Sequence, residues 1–423
     1  MATFSFVHAA DIHLDSPFAG VAASAPHIRD AMIQASFDAW RNLVDFCIEE
    51  QAAFLLLAGD VFDWEDRSIR AQLAFRDGCM RLAGHGIGVY AVHGNHDPLQ
   101  GRYAAIELPE NVKIFGSARV ESCIAELQGA PIAAISGISY QAKEEKRNLA
   151  AMFASHAIPE GVFSIGLIHA NLGSSTGHAP YAPCSMKDLS LDSVDYWALG
   201  HVHQKRIAGE EPHIVYPGNI QGRSFTEQGE RGAYLVRVRD GAVASLDFKP
   251  LDAVRFLAID ASIGAHRTLD SLLQDMIDAL YQAAEDNPTL PLICRFVLSG
   301  RGALFHELIE PEAVAQLVES IRETFLDRDP FVWVEKIRCQ CRPEKDLSEL
   351  MDSDDLLARV LKDMAGMESS PEDLLEFGRE SLKPLFGRRL VSGAIGKLSE
   401  SDVLEMLAEA RNLCIDLLGK EDA

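Results

Sequence analysis

Between residue 1 and about residue 250 the chain alternates short apolar runs with longer amphipathic stretches, a pattern that commits it to a layered α/β architecture. Strands are expected over Phe4–Ala10, Ala53–Ala58, Val89–Val92, Pro131–Ser136, Phe163–Ile168, Tyr196–Leu199, Ile214–Tyr216 and Gly232–Val238. Helices are expected over Ile28–Glu50, Ile69–Ala83 and Glu144–Ala154. Nearly every polar cluster falls just past the carboxyl end of an apolar run, where open α/β sheets place ligands and chemistry.

Two further units follow. Residues 251–342 read as a small α+β domain, with strands over Arg255–Ala261, Pro291–Leu298 and Phe331–Arg338 and helices over Thr268–Glu285 and Pro311–Leu326. Residues 343–423 read as helices alone, over Asp354–Met364, Pro371–Leu385 and Ser401–Leu418. Ser370 ahead of Pro371, and the stretch from Ser399 to Asp402, supply helix starts.

With 423 residues, 48% of them hydrophobic, the chain can bury more than one core, so global disorder is excluded. No apolar run approaches the roughly 18 to 20 residues that a membrane span requires. The opening Met1–Val7 has neither a basic n-region nor a small-residue cleavage pattern, so no export signal is read. Eight cysteines without a C-x-x-C spacing read as reduced thiols, and a cytoplasmic location is expected. Cys339 and Cys341, expected on one face of a strand, read as packing. Of the net charge of −24, residues 1–250 hold −9 and residues 251–423 hold −15. Such a field repels nucleic acid at long range.

Five polar clusters occur in order: Asp11-Ile12-His13, Gly59-Asp60-Val61-Phe62-Asp63, Gly94-Asn95-His96-Asp97, His169, and Gly200-His201-Val202-His203. Each alone has a plainer reading: a turn with a helix cap, a satisfied loop, a half-buried histidine. All five in order, each at the end of an apolar run, point instead to a metal cage. In extended chain, residues i and i+2 point the same way, so Asp11 with His13, and His201 with His203, are expected to reach into one cavity. Imidazoles, carboxylates and one amide oxygen, without thiolate, suit Mn²⁺, Fe²⁺ or Zn²⁺ in an open catalytic site.

Asp11, His13, Asp60, Asn95, His169, His201 and His203 exceed what one ion can use, so two ions bridged by Asp60 are expected. Such a pair can straddle one phosphate ester and neutralise the charge of the leaving oxygen. His96, next to Asn95, is placed to protonate that oxygen, with Asp63 holding the imidazole. The other nine histidines read as structural or solvated, with His178 in a Gly- and Ser-rich loop that could fold over the substrate.

The ordered set D-x-H, G-D-x-x-D, G-N-H-D, H, G-H-x-H resembles the calcineurin-type metallophosphoesterases over about residues 4–240. The resemblance implies a β-sandwich flanked by helices and a binuclear, usually Mn²⁺-dependent site. One ion would take Asp11, His13, Asp60 and His203, and the other Asp60, Asn95, His169 and His201. The opening Ala10–Asp15, the Tyr216–Arg223 stretch and the appended α+β unit resemble the bacterial SbcD-type DNA repair exonucleases of the YhaO-like branch. In several relatives a histidine stands where this chain carries Asp63. This second resemblance implies Mn²⁺-dependent cleavage of DNA, a capping domain at about 251–342 and a helical carboxyl-terminal segment that docks on an SbcC-like coiled-coil ATPase. Homodimers are usual in that family. For DNA contact the candidates near the metal clusters are Arg67, Arg70, Arg102, Lys205, Arg206 and Arg223. Two other functions stay open: a phosphodiesterase for small nucleotides, and a catalytically silent scaffold.

Overall fold

The computed structural model describes residues 3–16, 26–63, 68–100, 106–173, 181–344, 347–352, 354–368, 377 and 400–418. Along the chain the first elements are β1 (Phe4–Ala9), α1 (Pro26–Glu49), β2 (Phe54–Ala58), α2 (Ile69–Gly84), β3 (Gly88–Val92), β4 (Val112–Ile114), β5 (Glu121–Leu127), β6 (Ala130–Ile138) and β7 (Phe163–His169). Next come the short β8 (Asn171–Leu172) and β9 (Pro183–Cys184), then α3 (Met186–Leu189), β10 (Tyr196–Gly200), β11 (Arg206–Glu210), β12 (His213–Tyr216), β13 (Gly232–Arg239) and β14 (Ala242–Pro250). Beyond them lie β15 (Arg255–Ser262), α4 (Leu269–Asp286), β16 (Leu292–Ser299), β17 (Arg301–Gly302), α5 (Phe305–Leu308), α6 (Pro311–Thr324), β18 (Val332–Cys339) and β19 (Arg342–Pro343). The last helices are α7 (Leu347–Asp352), α8 (Leu356–Glu368) and α9 (Glu400–Leu418).

Two six-stranded sheets form the amino-terminal half, in the orders β14-β13-β1-β2-β3-β4 and β11-β12-β10-β7-β6-β5. Their inner faces meet through alternate residues: Phe4 and Phe6 of β1, Phe54 and Leu56 of β2, Phe163 and Ile165 of β7, Tyr196 and Ala198 of β10. The rings interlock, Phe6 stacking on Phe54 at 5.0 Å and meeting Tyr196 edge-on at 5.3 Å. The opposite face of the first sheet, Val7, Ala9, Leu55 and Leu57, packs on Trp40, Leu43 and Phe75 of α1 and α2. On the second sheet the outer face buries Trp197 and Leu199 beside Phe153 and Leu189. Period two along each strand thus builds a sandwich with helices outside, as the resemblance to the calcineurin-type metallophosphoesterases implies. In the first sheet β1, β2, β3 and β4 are parallel neighbours, and in the second β6, β7, β10 and β12 are, so their carboxyl ends share one edge.

The strands that the residue pattern does not reveal are instructive. β4, β5, β11 and β14 are the four sheet edges. Edge strands carry charged and half-exposed residues, which dilute the apolar signal. The helix expected over Glu144–Ala154 is instead a turn followed by a 3₁₀ segment, Ala150–Ser155. Here the Glu145 carboxylate accepts from both the backbone and the guanidinium of Arg147, and its carbonyl accepts from the Ala182 amide, so local bonds displace the helical ladder. Strand β18 ends at Cys339, so period two does not extend to Cys341. None of the eight cysteines forms a disulfide.

The chain divides into two compact units. The first comprises residues 1–261, 270–298 and 310–340, and so holds both sandwich sheets and most of the three-stranded sheet β15-β16-β18 with its helices α4 and α6. That sheet meets the sandwich domain where Ile28, Met32 and Ala35 of α1 pack with Val254, Phe256 and Ile293. The second unit comprises residues 262–269, 299–309 and 341–423. Within it α8 and α9 meet through Leu357, Leu361 and Ile415. The helix expected over Pro371–Leu385 falls, Phe377 excepted, outside the described residues, as does His178. No helix among the described residues is long and apolar enough to cross a membrane.

Candidate metal centre

The site forms where strands of both sheets end together. β1 stops at Ala9, and the chain then passes through the left-handed region at Asp11 (φ 51°) and His13 (φ 48°). Asp60 (φ 53°), after β2, and His201 (φ 97°), after β10, do the same. Few non-glycine residues adopt this conformation, and its cost is sustained only where neighbours over-determine it. They do so here, because the amides of Asp11, His13 and Leu14 donate to the carbonyls of Gly59, Asp60 and Val61 at 3.0 to 3.1 Å. The D-x-H pair is therefore not extended chain, as its spacing suggests. A kinked backbone, rather than the pleat, aims both side chains inward.

Seven ligand-type side chains converge. His13 Nε2 lies 3.3 Å from His203 Nε2, which is 3.6 Å from Asp11 Oδ1. Alongside, His169 Nε2 lies 3.4 Å from Asp60 Oδ2 and 3.0 Å from Asn95 Oδ1, which is itself 3.1 Å from His201 Nδ1. The donor atoms of Asp11, His13 and His203 lie within 4.8 Å of one another, as do those of Asp11, Asp60 and His169. Two carboxylates only 1% exposed, faced by imidazole nitrogens, demand positive charge, because a buried anion is tolerated only when compensated. The oxygen and nitrogen donor set fits divalent cations.

The imidazoles are held from behind. His13 Nδ1 donates to Asp63 at 3.0 Å, His203 Nδ1 to Glu227 at 2.6 Å and His169 Nδ1 to the Ala58 carbonyl at 2.8 Å. Each bond fixes a tautomer and leaves Nε2 facing the cavity. The glycines of two clusters are there for room: a Cβ on Gly94 would lie 2.3 Å from Asp60 Oδ1, and one on Gly200 would lie 1.9 Å from the Ala58 carbonyl oxygen. Asp97 ties two loops together, accepting from the Gly94 amide at 2.7 Å and the Val61 amide at 2.8 Å.

Charge follows the geometry. Burial raises the Asp60 carboxyl, but the His169 charge and hydrogen bond outweigh it and hold the group well below the carboxylate range. Burial lowers His169, yet Asp60 overcomes this and raises it to about 9, the same demand for positive charge that a cation meets. His13 is lowered, by burial first and the Arg223 charge second. His96 lies at the rim of the cluster, with its side chain 38% exposed, Nδ1 2.6 Å from Asp63 Oδ1, and a ring nitrogen within 4.8 Å of the donor atoms of His13 and Asp63. Burial lowers it, but the Asp63 hydrogen bond and the Asp60 and Asp63 charges raise it above 6.5.

Two contributors, Glu227 and Ser16, escape sequence reasoning, and a third, Arg223, enters in another role. Glu227 stands in an exposed-looking polar run with no motif around it, yet its carboxylate is buried against His203, Arg223 and Asn219. Ser16 donates to Asp63. Arg223, a candidate for DNA contact, has its guanidinium 3.4 Å from Asp63 and 3.3 Å from Glu227, between the carboxylates that orient His13, His96 and His203. Of the other candidates, Arg70 lies over the Phe37 ring at 4.1 Å, and Lys205 pairs with Glu230 and lies over the Phe248 ring. Arg206 is exposed on edge strand β11, and Arg67 and Arg102 lie outside the described residues.

A sandwich with this donor set at its strand ends defines a class. The family pattern of the calcineurin-like phosphoesterases matches residues 4–205, and the chain belongs to the calcineurin-like metallophosphoesterases. Within that class, residues 256–342 match the middle domain of the metallophosphoesterase YhaO. The chain is 35% identical to YhaO of Bacillus subtilis (strain 168) over 347 residues, 82% of this chain and 84% of that protein. It is also 24% identical over 313 residues to the DNA double-strand break repair protein Mre11 of Thermoplasma acidophilum, covering 71% of this chain and 78% of that protein.

Proposed function

We propose that this metallophosphoesterase is a nuclease that hydrolyses DNA phosphodiesters, at ends and internally, in DNA repair. One cation would be held by Asp11, His13, Asp60 and His203, and a second by Asp60, Asn95, His169 and His201. Mn²⁺ is the proposed ion, with Fe²⁺ and Zn²⁺ suited to the same donors. When bound, the pair supplies Lewis-acid neutralisation of the phosphate and of the developing alkoxide. The chain's own part is the proton: as the oxygen of water bonds phosphorus, losing a proton to solvent, and the phosphorus–oxygen bond to the sugar breaks, His96 gives a proton from Nε2 to the departing sugar oxygen, while Asp63 holds Nδ1–H and keeps the ring oriented. The single observation that carries this reading is the Asp60 carboxylate, which faces His169 through Oδ2 and accepts the His96 amide on Oδ1 at 2.8 Å. One buried group thus links the ligand cluster to the proposed acid. Likeness to a break-repair protein over 71% of the chain favours DNA as the substrate. An SbcC-like coiled-coil ATPase partner, a homodimer and a cytoplasmic location belong to the same proposal.

The test compares end-labelled duplex DNA with a small nucleotide diester, each with Mn²⁺ and the full chain. Shortening of the duplex from its ends is the expected result. Preference for the small ester by several orders of magnitude would defeat the DNA reading in favour of a small-molecule phosphodiesterase.

A further inference from the structure

We propose that Phe225 is a positioning residue that locks Glu227 onto His203 by wedging the strap of residues 222–229 against the three-stranded sheet. The inference rests on His203 being a ligand, as assigned above. The bonds of the Glu227 carboxylate are short-range and directional: Oε1 to His203 Nδ1 at 2.6 Å and to Arg223 at 3.3 Å, Oε2 to the Arg223 amide at 2.8 Å and to Asn219 at 3.0 Å. Such a carboxylate orients its imidazole only while its own backbone holds still.

What holds that backbone lies across the sheet. The half-buried Phe225 ring meets Phe256 of β15 edge-on at 5.1 Å, and the Arg295 guanidinium of β16 lies over it at 3.8 Å. Arg295 is in turn fixed by Glu335 of β18 at 2.9 Å. Two backbone-directed bonds finish the strap: Gln228 Nε2 donates to the Phe225 carbonyl at 2.7 Å, and the Gly229 amide donates to the Phe256 carbonyl at 2.9 Å. A cavity of about 300 Å³, lined by Phe225, Phe256, Arg295 and Glu335 among others, adjoins the ring, so truncating it leaves space rather than a substitute contact. Phe225 touches none of the reacting groups. It acts through Glu227, and it makes the sheet β15-β16-β18 part of what keeps one cation position intact.

The experiment is a Mn²⁺ titration of the full chain, read from the paramagnetic signal of free Mn²⁺. Glu227→Gln is expected to weaken one of two binding steps by roughly 10- to 100-fold, the usual effect of losing such a partner. Phe225→Ala should weaken the same step by about tenfold and Phe225→Tyr should restore it. Because Phe225 acts through Glu227, the double variant should bind no more weakly than Glu227→Gln alone. Unchanged affinity in Phe225→Ala, or a double variant whose loss is the product of the two single losses, overturns the proposal. Should Phe225→Ala fail to fold, Arg295→Gln is read in the same way, with about a threefold loss expected and none overturning it. Two-step uptake by the unmodified chain without DNA hydrolysis would sink the nuclease reading and leave this inference standing.

Discussion

At the scale of single residues, roles separate by what each side chain touches. His96 bonds Asp63 and is the proposed acid rather than a proposed ligand, so His96→Ala is expected to cut turnover by about 10²- to 10⁴-fold with metal content, measured by elemental analysis, unchanged. Asp60 is the proposed bridge between the two cations, so Asp60→Ala should empty both positions. An acid must be protonated to act. With His96 raised above 6.5, activity should hold through neutral pH and fall as pH rises through the raised value. Removing the charge with Asp63→Asn should move that alkaline limb to lower pH in a rate–pH profile. A histidine away from the ligands behaves oppositely. His8, fully buried with Nδ1 3.0 Å from the Tyr196 hydroxyl, is pushed down to about 3 by burial. Its folded value lies below its unfolded 6.5, so the unfolded chain binds the extra proton. Stability from His8 is therefore present above pH 6.5 and lost as pH falls toward 3, by about 2 kcal/mol already at pH 5. Urea midpoints of the protein and of His8→Gln across that range should show the difference.

At the scale of elements, the sandwich depends on β1, the strand that is parallel to β2, antiparallel to β13 and buried on both faces. Phe6 is its most enclosed ring, between Phe54 and Tyr196, and Phe6→Ala should cost about 3–5 kcal/mol, measured by denaturant unfolding. Central strands such as Phe54–Ala58, all buried, were legible in the sequence because burial on both faces leaves an unbroken apolar run. The edge strand Arg206–Glu210 was not, since three of its five residues are exposed and the other two are half-buried. The segment 144–154 misled for another reason: helical periodicity is present, but Glu145 and Arg147 bond each other across a turn.

At the scale of the whole molecule, charge and site pull against each other. A net charge of −24 opposes a polyanionic substrate, and of the described candidates for DNA contact Lys205 and Arg223 are already engaged with carboxylates. DNA binding by the isolated chain is therefore expected to depend weakly on salt, with a log–log slope of about −3 or shallower, consistent with few phosphate contacts. Fluorescence anisotropy across salt concentrations measures it, and a steep slope would place a basic surface that these residues do not supply. Residue order alone determined the α/β class and the nine side chains of the proposed site, because each cluster follows an apolar run and ligand chemistry restricts the residue types. Only the folded chain decided how they meet. The left-handed turns at Asp11, His13 and His201, the recruitment of Glu227, and the placing of Arg223 between Asp63 and Glu227, arise from contacts between residues far apart in sequence, and no local pattern encodes such contacts.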